Sequence, residues 1–414
     1  MNLLKTSALS AIAAFVKIIT LFFLNKILAI YIGPTGFATV GKFQNFSQVI
    51  TTLGNLGFNT GVTKLTAQYS DVHNRQAIWS SVCKITFFTS LLLGFLIVVF
   101  GGYFSHLIFN SKEFWFVFVV FGVCLPLITM NFLLLSCING IKAVKNYVLS
   151  NILGNLFSFI VISIMVFKLN LFGALVGLAC HQALGFFVTL KIIKKNNLFS
   201  MSDFLGPLNL GYLKRIIKFS SLALTSGVVM AFSMIVVREI ISDKAGLEAA
   251  GYWDAMWRFS ATYLLFTTMT LKVYLLPQFA SFKSVIQVRR ELQKILILVL
   301  PVGIISSYII YINKSFILTL LFTEAFLPAQ ELFLWQLVGD VLKVISWIFA
   351  FILIAKERFK ELIILELVFC CIFPISVKYL ITDYGFEAAS IGYSISYLIH
   401  LLLTLFLLIK FKLV

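Results

Sequence analysis

Carboxylates are scarce in this chain. Asp and Glu together number 16 among 414 residues, against 33 Lys and Arg, and no Asp-x-Asp occurs. A membrane enzyme that polymerises or transfers sugars needs catalytic acidic residues or a substantial loop facing the chemistry, whereas the outer loops here are only about 4 to 20 residues long. Gly-rich nucleotide loops and nucleophile elbows are also missing. The four histidines, His73, His106, His181 and His400, are scattered, and read as loop, interfacial or packing residues. Cys83, Cys124, Cys137, Cys180, Cys370 and Cys371 fall in or beside apolar stretches, without the C-x-x-C spacing of a metal or redox site. The adjacent pair is a poor disulfide candidate, so all six read as small buried hydrophobes. No cofactor and no metal set is expected.

The chain is instead 60% hydrophobic and only 12% charged, where a soluble domain has roughly 45–50% apolar and 25% charged residues. The fold class that follows is an all-α polytopic membrane protein. Continuous apolar runs place about twelve spans near 8–32, 37–61, 78–101, 115–138, 147–167, 171–190, 216–240, 251–275, 293–312, 331–355, 361–382 and 386–409. The alternating pattern of a transmembrane barrel is absent. The first run carries Lys17 and Lys26 and ends at Ile32-Gly33-Pro34, so it reads as a retained span rather than a cleaved signal.

The net charge of +17 is positional. Lys64, Arg75, Lys142, Lys145, the Lys191 to Lys218 cluster, Lys283, Arg289, Arg290, Lys294, Lys356, Arg358, Lys360, Lys410 and Lys412 all fall with Lys5 on one side of the twelve spans. The excess of bases there puts both termini in the cytoplasm. It speaks for contact with anionic membrane lipids and against nucleic acid as a partner. The only long polar connection, about 191–218, divides an N-terminal six-helix lobe, 1–200, from a C-terminal one, 201–414. Gly36-Phe37-Ala38 and Gly251-Tyr252-Trp253 open matching spans in the two halves. An even span count per half makes such a repeat parallel, about an axis along the membrane normal.

Polar residues inside the spans carry the functional signal. In the second span Lys42, Asn45, Gln48, Thr52, Asn55 and Asn59 recur at steps of three or four, hence on one helical face. Amides cannot face hydrocarbon unsatisfied. They either glue helices together or line a cavity, and a stripe this long exceeds the needs of one helix contact. Asn151, Asn155 and Ser158 form a shorter stripe. Asp254 and Arg258 at i, i+4, and Asp340 and Lys343 at i, i+3, can each pair along their own helix. An ion pair kept at mid-depth suggests a polar cavity or gate. Lys17 has no acid within a turn, whereas Lys26 and Arg238 lie nearer the membrane surface and can snorkel. The embedded cations Lys17, Lys42, Arg258 and Lys343 outnumber the embedded acids Asp254, Asp340 and Glu366, which favours an anionic ligand such as a diphosphate. Gly173 and Gly177 form a GxxxG, read as close helix packing.

The run Trp335-Gln336-Leu337-Val338-Gly339-Asp340-Val341-Leu342-Lys343-Val344 resembles the Wzx-type flippases of lipid-linked oligosaccharides. Gly61-Val62-Thr63-Lys64, Ala67-Gln68-Tyr69, Val273-Tyr274-Leu275-Leu276-Pro277 and Ile354-Ala355-Lys356 are similar to that family too. Lys17, Lys26 and Gly33-Pro34-x-Gly36 sit where it has them. The resemblance implies the multidrug/oligosaccharidyl-lipid/polysaccharide exporter fold (MATE-like), with two six-helix lobes around a central cavity. It also implies an undecaprenyl-diphosphate-linked oligosaccharide moved from the cytoplasmic to the periplasmic leaflet of the bacterial inner membrane. The glycan is left open between an O-antigen unit and the enterobacterial common antigen. A polysaccharide polymerase and a chain-length regulator are the partners it implies. Asn45, Gln48, Thr52, Asn55 and Asn59 suit sugar hydroxyls, and Lys17, Lys42, Arg258 and Lys343 the diphosphate. Asp340 and Asp254 are the coupling or gating candidates, with the choice of proton or sodium open. A cation-coupled drug exporter would show embedded acids in excess, and a polymerase or ligase longer outer loops.

Overall fold

The computed structural model describes residues 3–282 and 284–413, without the side chains of 3–10, 218, 219, 266, 269, 270, 272, 273, 276, 277 and 280. Of the residues named above, Lys5, Lys218, Val273, Leu276, Pro277, Lys283 and Val414 lie outside the described residues or side chains.

No strand occurs among the described residues. Among the described residues, eight helical stretches are long and apolar enough to cross a membrane. Three of them run for 58, 52 and 52 residues, and at a rise of 1.5 Å per residue about 50 residues would measure ~75 Å, more than twice a hydrocarbon core. Each is therefore broken, and each break is a residue with positive φ. Gly33 takes φ 60°, ψ −170°, a region open essentially to glycine alone. Asn170 takes φ 47°, ψ −126°, and Gly385 φ 54°, ψ −140°. With the further apolar helix Leu247–Ser281, the architecture is the all-α one expected, with approximately twelve crossings. The breaks fall between the same spans that hydropathy separates.

The chain forms two compact units. Unit 1 comprises Met1–Tyr31 and Val40–Ala231, and unit 2 comprises Ile32–Thr39 and Phe232–Val414.

Unit 1 is built from α1 (Leu3–Asn55), α2 (Asn59–Gln68), α3 (Val72–Val99), α4 (Gly101–Phe109), α5 (Trp115–Gly140), α6 (Val144–Lys195) and the first part of α7 (Leu210–Ala245). In α6 the chain reverses at Asn170. The Ser158 hydroxyl donates to the His181 carbonyl at 3.4 Å, and a Cβ on Gly173 would lie 1.9 Å from the Met165 carbonyl oxygen. The GxxxG thus packs one arm of the hairpin on the other, as expected. A buried cluster including Phe58, Leu65, Trp79, Leu134, Ile193 and Phe204 ties α2, α3, α5, the end of α6 and a 3-10 turn at Met201–Phe204 together. Trp79 donates its indole N–H to Thr66 at 2.9 Å, which satisfies the ring's polar edge inside that cluster. The polar connection after α6 is docked on α3. Gln76 donates to Asp203 at 2.8 Å, Ser80 to the Pro207 carbonyl at 3.1 Å, and Ser81 accepts from the Asn209 amide at 2.7 Å.

Unit 2 contains the rest of α7, then α8 (Leu247–Ser281), α9 (Val285–Ile312), α10 (Lys314–Leu321), α11 (Phe333–Ala355), α12 (Phe359–Tyr384) and α13 (Ala388–Lys410). Its core is aromatic, with Trp253, Phe322, Phe326, Phe333, Phe373 and Tyr393 fully buried. The Ile32–Thr39 corner belongs to it, and Phe37 packs edge-on against Phe322 and Phe326 at 5.7 and 5.0 Å. The outer face of α9 is inverted relative to a soluble helix: Ile297 is 75% and Leu298 69% exposed. Such a surface is stable against lipid, where apolar exposure costs nothing.

Candidate functional site

Unit 1 contains a partly open cavity of about 690 Å³. Asn45, Gln48, Thr52, Asn55 and Asn59 line it along one wall, and Lys17 projects from the first arm of α1. Among the described residues, Asn45, Gln48, Thr52, Asn55 and Asn59 make no side-chain hydrogen bond to another helix. Gln48 donates to Thr52 at 3.4 Å, Thr52 to the Gln48 carbonyl at 2.7 Å, and Asn55 Oδ1 accepts from the Gly57 amide at 2.7 Å. Asn45 Nδ2 is buried with no hydrogen-bond partner among the described residues. Side chains used as helix glue would spend these groups across an interface, whereas the bonds of Gln48, Thr52 and Asn55 stay within their own turn. Asn155, Ser158, His181 and Gln182 of the α6 hairpin add to the polar lining. No carboxylate is among the described lining residues, and Lys17 is the one Lys or Arg.

The stripe differs from the expected single helical face. Helix α1 ends at Asn55, and Asn59 opens α2. Leu56 and Gly57 at φ 51° and 65° make the intervening turn, with the Asn55 side chain bonded two residues on. The axis shifts, yet both segments keep their amides on the cavity. Lys42 is 8% exposed and lies outside the described lining.

The other charged candidates lie in unit 2, in two clusters. In the first, Asp254 accepts from Arg258 Nε at 2.8 Å, the i, i+4 pair expected. It also accepts from Arg238, which does not snorkel. Arg238 is 2% exposed, ion-paired to Asp254, and stacked 5.3 Å from the Trp253 ring. Packing of α7 on α8 provides a buried carboxylate, which a guanidinium prefers to a long reach through hydrocarbon. Arg258 also lies 5.2 Å from the Phe37 ring.

The second cluster corrects the expected Asp340–Lys343 ion pair: the two side chains are close but not joined. The Asp340 carboxylate accepts from the Ser260 hydroxyl at 2.6 Å, from the Tyr393 hydroxyl at 2.8 Å and from the Tyr263 hydroxyl. Lys343 Nζ sits instead among four rings, 4.9 Å from Trp347, 5.4 Å from Trp257, 5.5 Å from Tyr397 and 5.7 Å from Tyr393. Three hydroxyl donors satisfy the carboxylate better than one flexible ammonium, and the rings hold the ammonium by cation–π attraction. Gly339 makes this possible, since a Cβ there would lie 2.3 Å from the Tyr393 ring. Glu366 on α12 is within electrostatic reach of Lys343.

Sequence patterning missed part of the cavity wall. Gln44, Ser47 and Thr51 also line it; each precedes a stripe residue by one position, so a face one residue wider would have included them. His181 and Gln182 carry no local signal, because their approach to Ser158 depends on the reversal at Asn170.

A model of the family described as polysaccharide biosynthesis protein matches residues 3–283. The lipid III flippase of Escherichia coli (strain K12) is 29% identical over 405 residues, 97% of this chain and 96% of that protein, and that of Shigella flexneri matches equally. Among solved structures, a multidrug resistance MATE family transporter of the MOP superfamily in an inward-facing conformation superposes with TM-score 0.79 at 16% identity, covering 96% of this chain and 99% of that one. The lipid II flippase MurJ in an inward closed conformation gives TM-score 0.72 at 18% identity, covering 96% of this chain and 87% of its own. These structural likenesses concern the fold, which is MATE-like.

Proposed function

The chain belongs to the polysaccharide biosynthesis protein family, and from that premise we propose that it flips an undecaprenyl-diphosphate-linked oligosaccharide from the cytoplasmic to the periplasmic leaflet of the inner membrane. The observation that carries the reading is the amide-lined cavity of unit 1. Sugars and a diphosphate cross some 30 Å of hydrocarbon slowly because their hydration must be replaced. Spare amide and hydroxyl groups offer donors and acceptors to sugar hydroxyls, and Lys17 offers charge to the diphosphate. A volume near 690 Å³ lies within the roughly 300–1,000 Å³ typical of small-ligand sites, while the polyprenyl tail stays in lipid. Alternating access of a MATE-like fold then carries the headgroup across. Both termini are cytoplasmic in this reading, and a polymerase and a chain-length regulator act downstream.

The lining disfavours the cation-exporting alternative, since no described carboxylate is present to hold a cationic drug. The test is made in cells deleted for the gene. Loss of a flippase leaves lipid-linked units unexported, whereas loss of a polymerase still places single units at the surface. Asn45→Ala/Gln48→Ala should reproduce the flippase defect with normal membrane abundance. Single units at the surface of the deletion strain would refute the proposal.

A further inference from the structure

We propose that the connection between α6 and α7 is a docking surface for anionic phospholipid, in which exposed Leu205, Leu208 and Leu210 enter the acyl boundary while the flanking lysines meet the headgroups. The leaflet is the one on the basic side of the membrane.

The connection has two apolar faces, and only one is spent on the protein. On the inner face Phe204 is buried and stacks on the Trp79 ring at 5.6 Å, with Phe199 5.0 Å from the same ring. On the outer face Leu205 is 78% and Leu210 61% exposed, and Met201 and Leu208 are exposed as well. The backbone is held, so these side chains are not free to fold inward. Ser200 and Asp203 form a capping box around the turn Met201–Phe204. Asn209 Oδ1 accepts from the Gly211 and Tyr212 amides at 3.0 and 3.3 Å, which starts α7. Large apolar side chains held outward on a polar connection mark an interaction surface.

The bonds to α3 set its depth. Gln76, Ser80 and Ser81 hold Asp203, the Pro207 carbonyl and the Asn209 amide, and the apolar run of α3 begins between them, at Ile78. A Cβ on Gly206, the neighbour of Leu205, would lie 3.1 Å from Ser80 Oγ. Ser80 is only about 3 Å along the helix from Ile78, so Leu205 stands level with the edge of the hydrocarbon.

The charges select the lipid. Between 191 and 218 the bases are Lys191, Lys194, Lys195, Lys214, Arg215 and Lys218, and Asp203 is the one acid. Asp203 is occupied by Gln76 and by the Ser200 amide at 2.9 Å, and Arg215 by Tyr69 and Gln68. Lys191, Lys194, Lys195 and Lys214 are exposed and form no ion pair among the described residues. Ile193 shares a buried cluster with Phe204, which brings Lys194 and Lys195 beside the turn. Lysines next to leucines at acyl depth are the pattern of an interfacial element on an anionic leaflet. An acidic protein partner would satisfy the lysines but not the depth of Leu205.

The surface does not depend on the transported substrate, and its test needs none. The full-length protein without native cysteines is labelled with a nitroxide at Leu205→Cys or Leu208→Cys and placed in vesicles of phosphatidylglycerol or phosphatidylcholine. In phosphatidylglycerol, relaxation by oxygen should exceed relaxation by a water-soluble nickel chelate at both sites. In phosphatidylcholine that ratio should fall. Lys194→Gln/Lys195→Gln/Lys214→Gln should lower it in phosphatidylglycerol too, since each lysine near such a surface is worth roughly a five-fold change in affinity. If the cysteine-free chain does not fold, a photoreactive side chain at Leu205 of the wild type should cross-link to phosphatidylglycerol, and failure to do so counts against the proposal. Relaxation dominated by nickel in both lipids, shielding from both reagents, or equal ratios in the two lipids overturns it. Shielding seen in native membranes but not in vesicles of the purified protein overturns it as well, and assigns the leucines to a protein partner.

Discussion

Replacing Asp254 by Asn keeps the shape of the side chain and removes its charge. One carboxylate serves two guanidiniums here, and the change takes the ion-pair partner from the more deeply buried one, Arg238. The Arg258 side chain is 14% exposed and keeps some access to polar surroundings, but that of Arg238 is 3% exposed and has none. Removing one partner of a buried pair costs about 3–5 kcal/mol, and a carboxylate shared by two cations belongs at the upper end. For a unit of this size that is a fall on the order of 10 °C in melting temperature. Differential scanning fluorimetry of the purified protein measures it, with membrane abundance as the cellular counterpart. Adding Arg238→Met removes the stranded cation and should recover more than half of the loss. If Asp254→Asn melts like the wild type, or the double variant no better than the single, the network is not what holds α7 on α8.

Three further outcomes are expected. Cysteines placed at Asn45 and Gln48, in a background without native cysteines, should react with a water-soluble thiol reagent, while one at Leu53, which is not among the cavity's lining residues, should be protected; uniform protection would restore the helix-glue reading. Gly173→Val drives a side chain into the Met165 carbonyl, 1.9 Å from the ideal Cβ, and should abolish folded protein in the membrane fraction; normal abundance would mean that the α6 hairpin is not packed as described. Reporter fusions after Val414 and within Ser111–Phe114 should report opposite sides of the membrane, and signals from the same side would refute the topology.

The distinction between what a linear pattern decides and what packing decides is sharp in unit 2. Asp340 and Lys343 are one turn apart, and their spacing shows only that they can meet. Which groups do satisfy them depends on Ser260 and Tyr263, about 80 residues earlier, and on Tyr393, 53 residues later. Arg238 likewise looks like a surface-seeking cation until Asp254, 16 residues on, is brought beside it.

Solvation by the bilayer acts on each residue locally, so hydropathy alone determined the all-α class, the approximate number of crossings and the breaks at Gly33, Asn170 and Gly385. Helical periodicity is equally local, and it brought the amides from Asn45 to Asn55 onto one face before any fold was known. What only the tertiary structure decided was the opposite cavity wall at His181 and Gln182, the turn that ends α1 at Asn55, and the aromatic cage that holds Lys343 apart from Asp340. Those depend on contacts between helices distant in sequence. In a membrane nearly every helix surface is apolar, so the pattern along one helix carries little information about which neighbour it will meet.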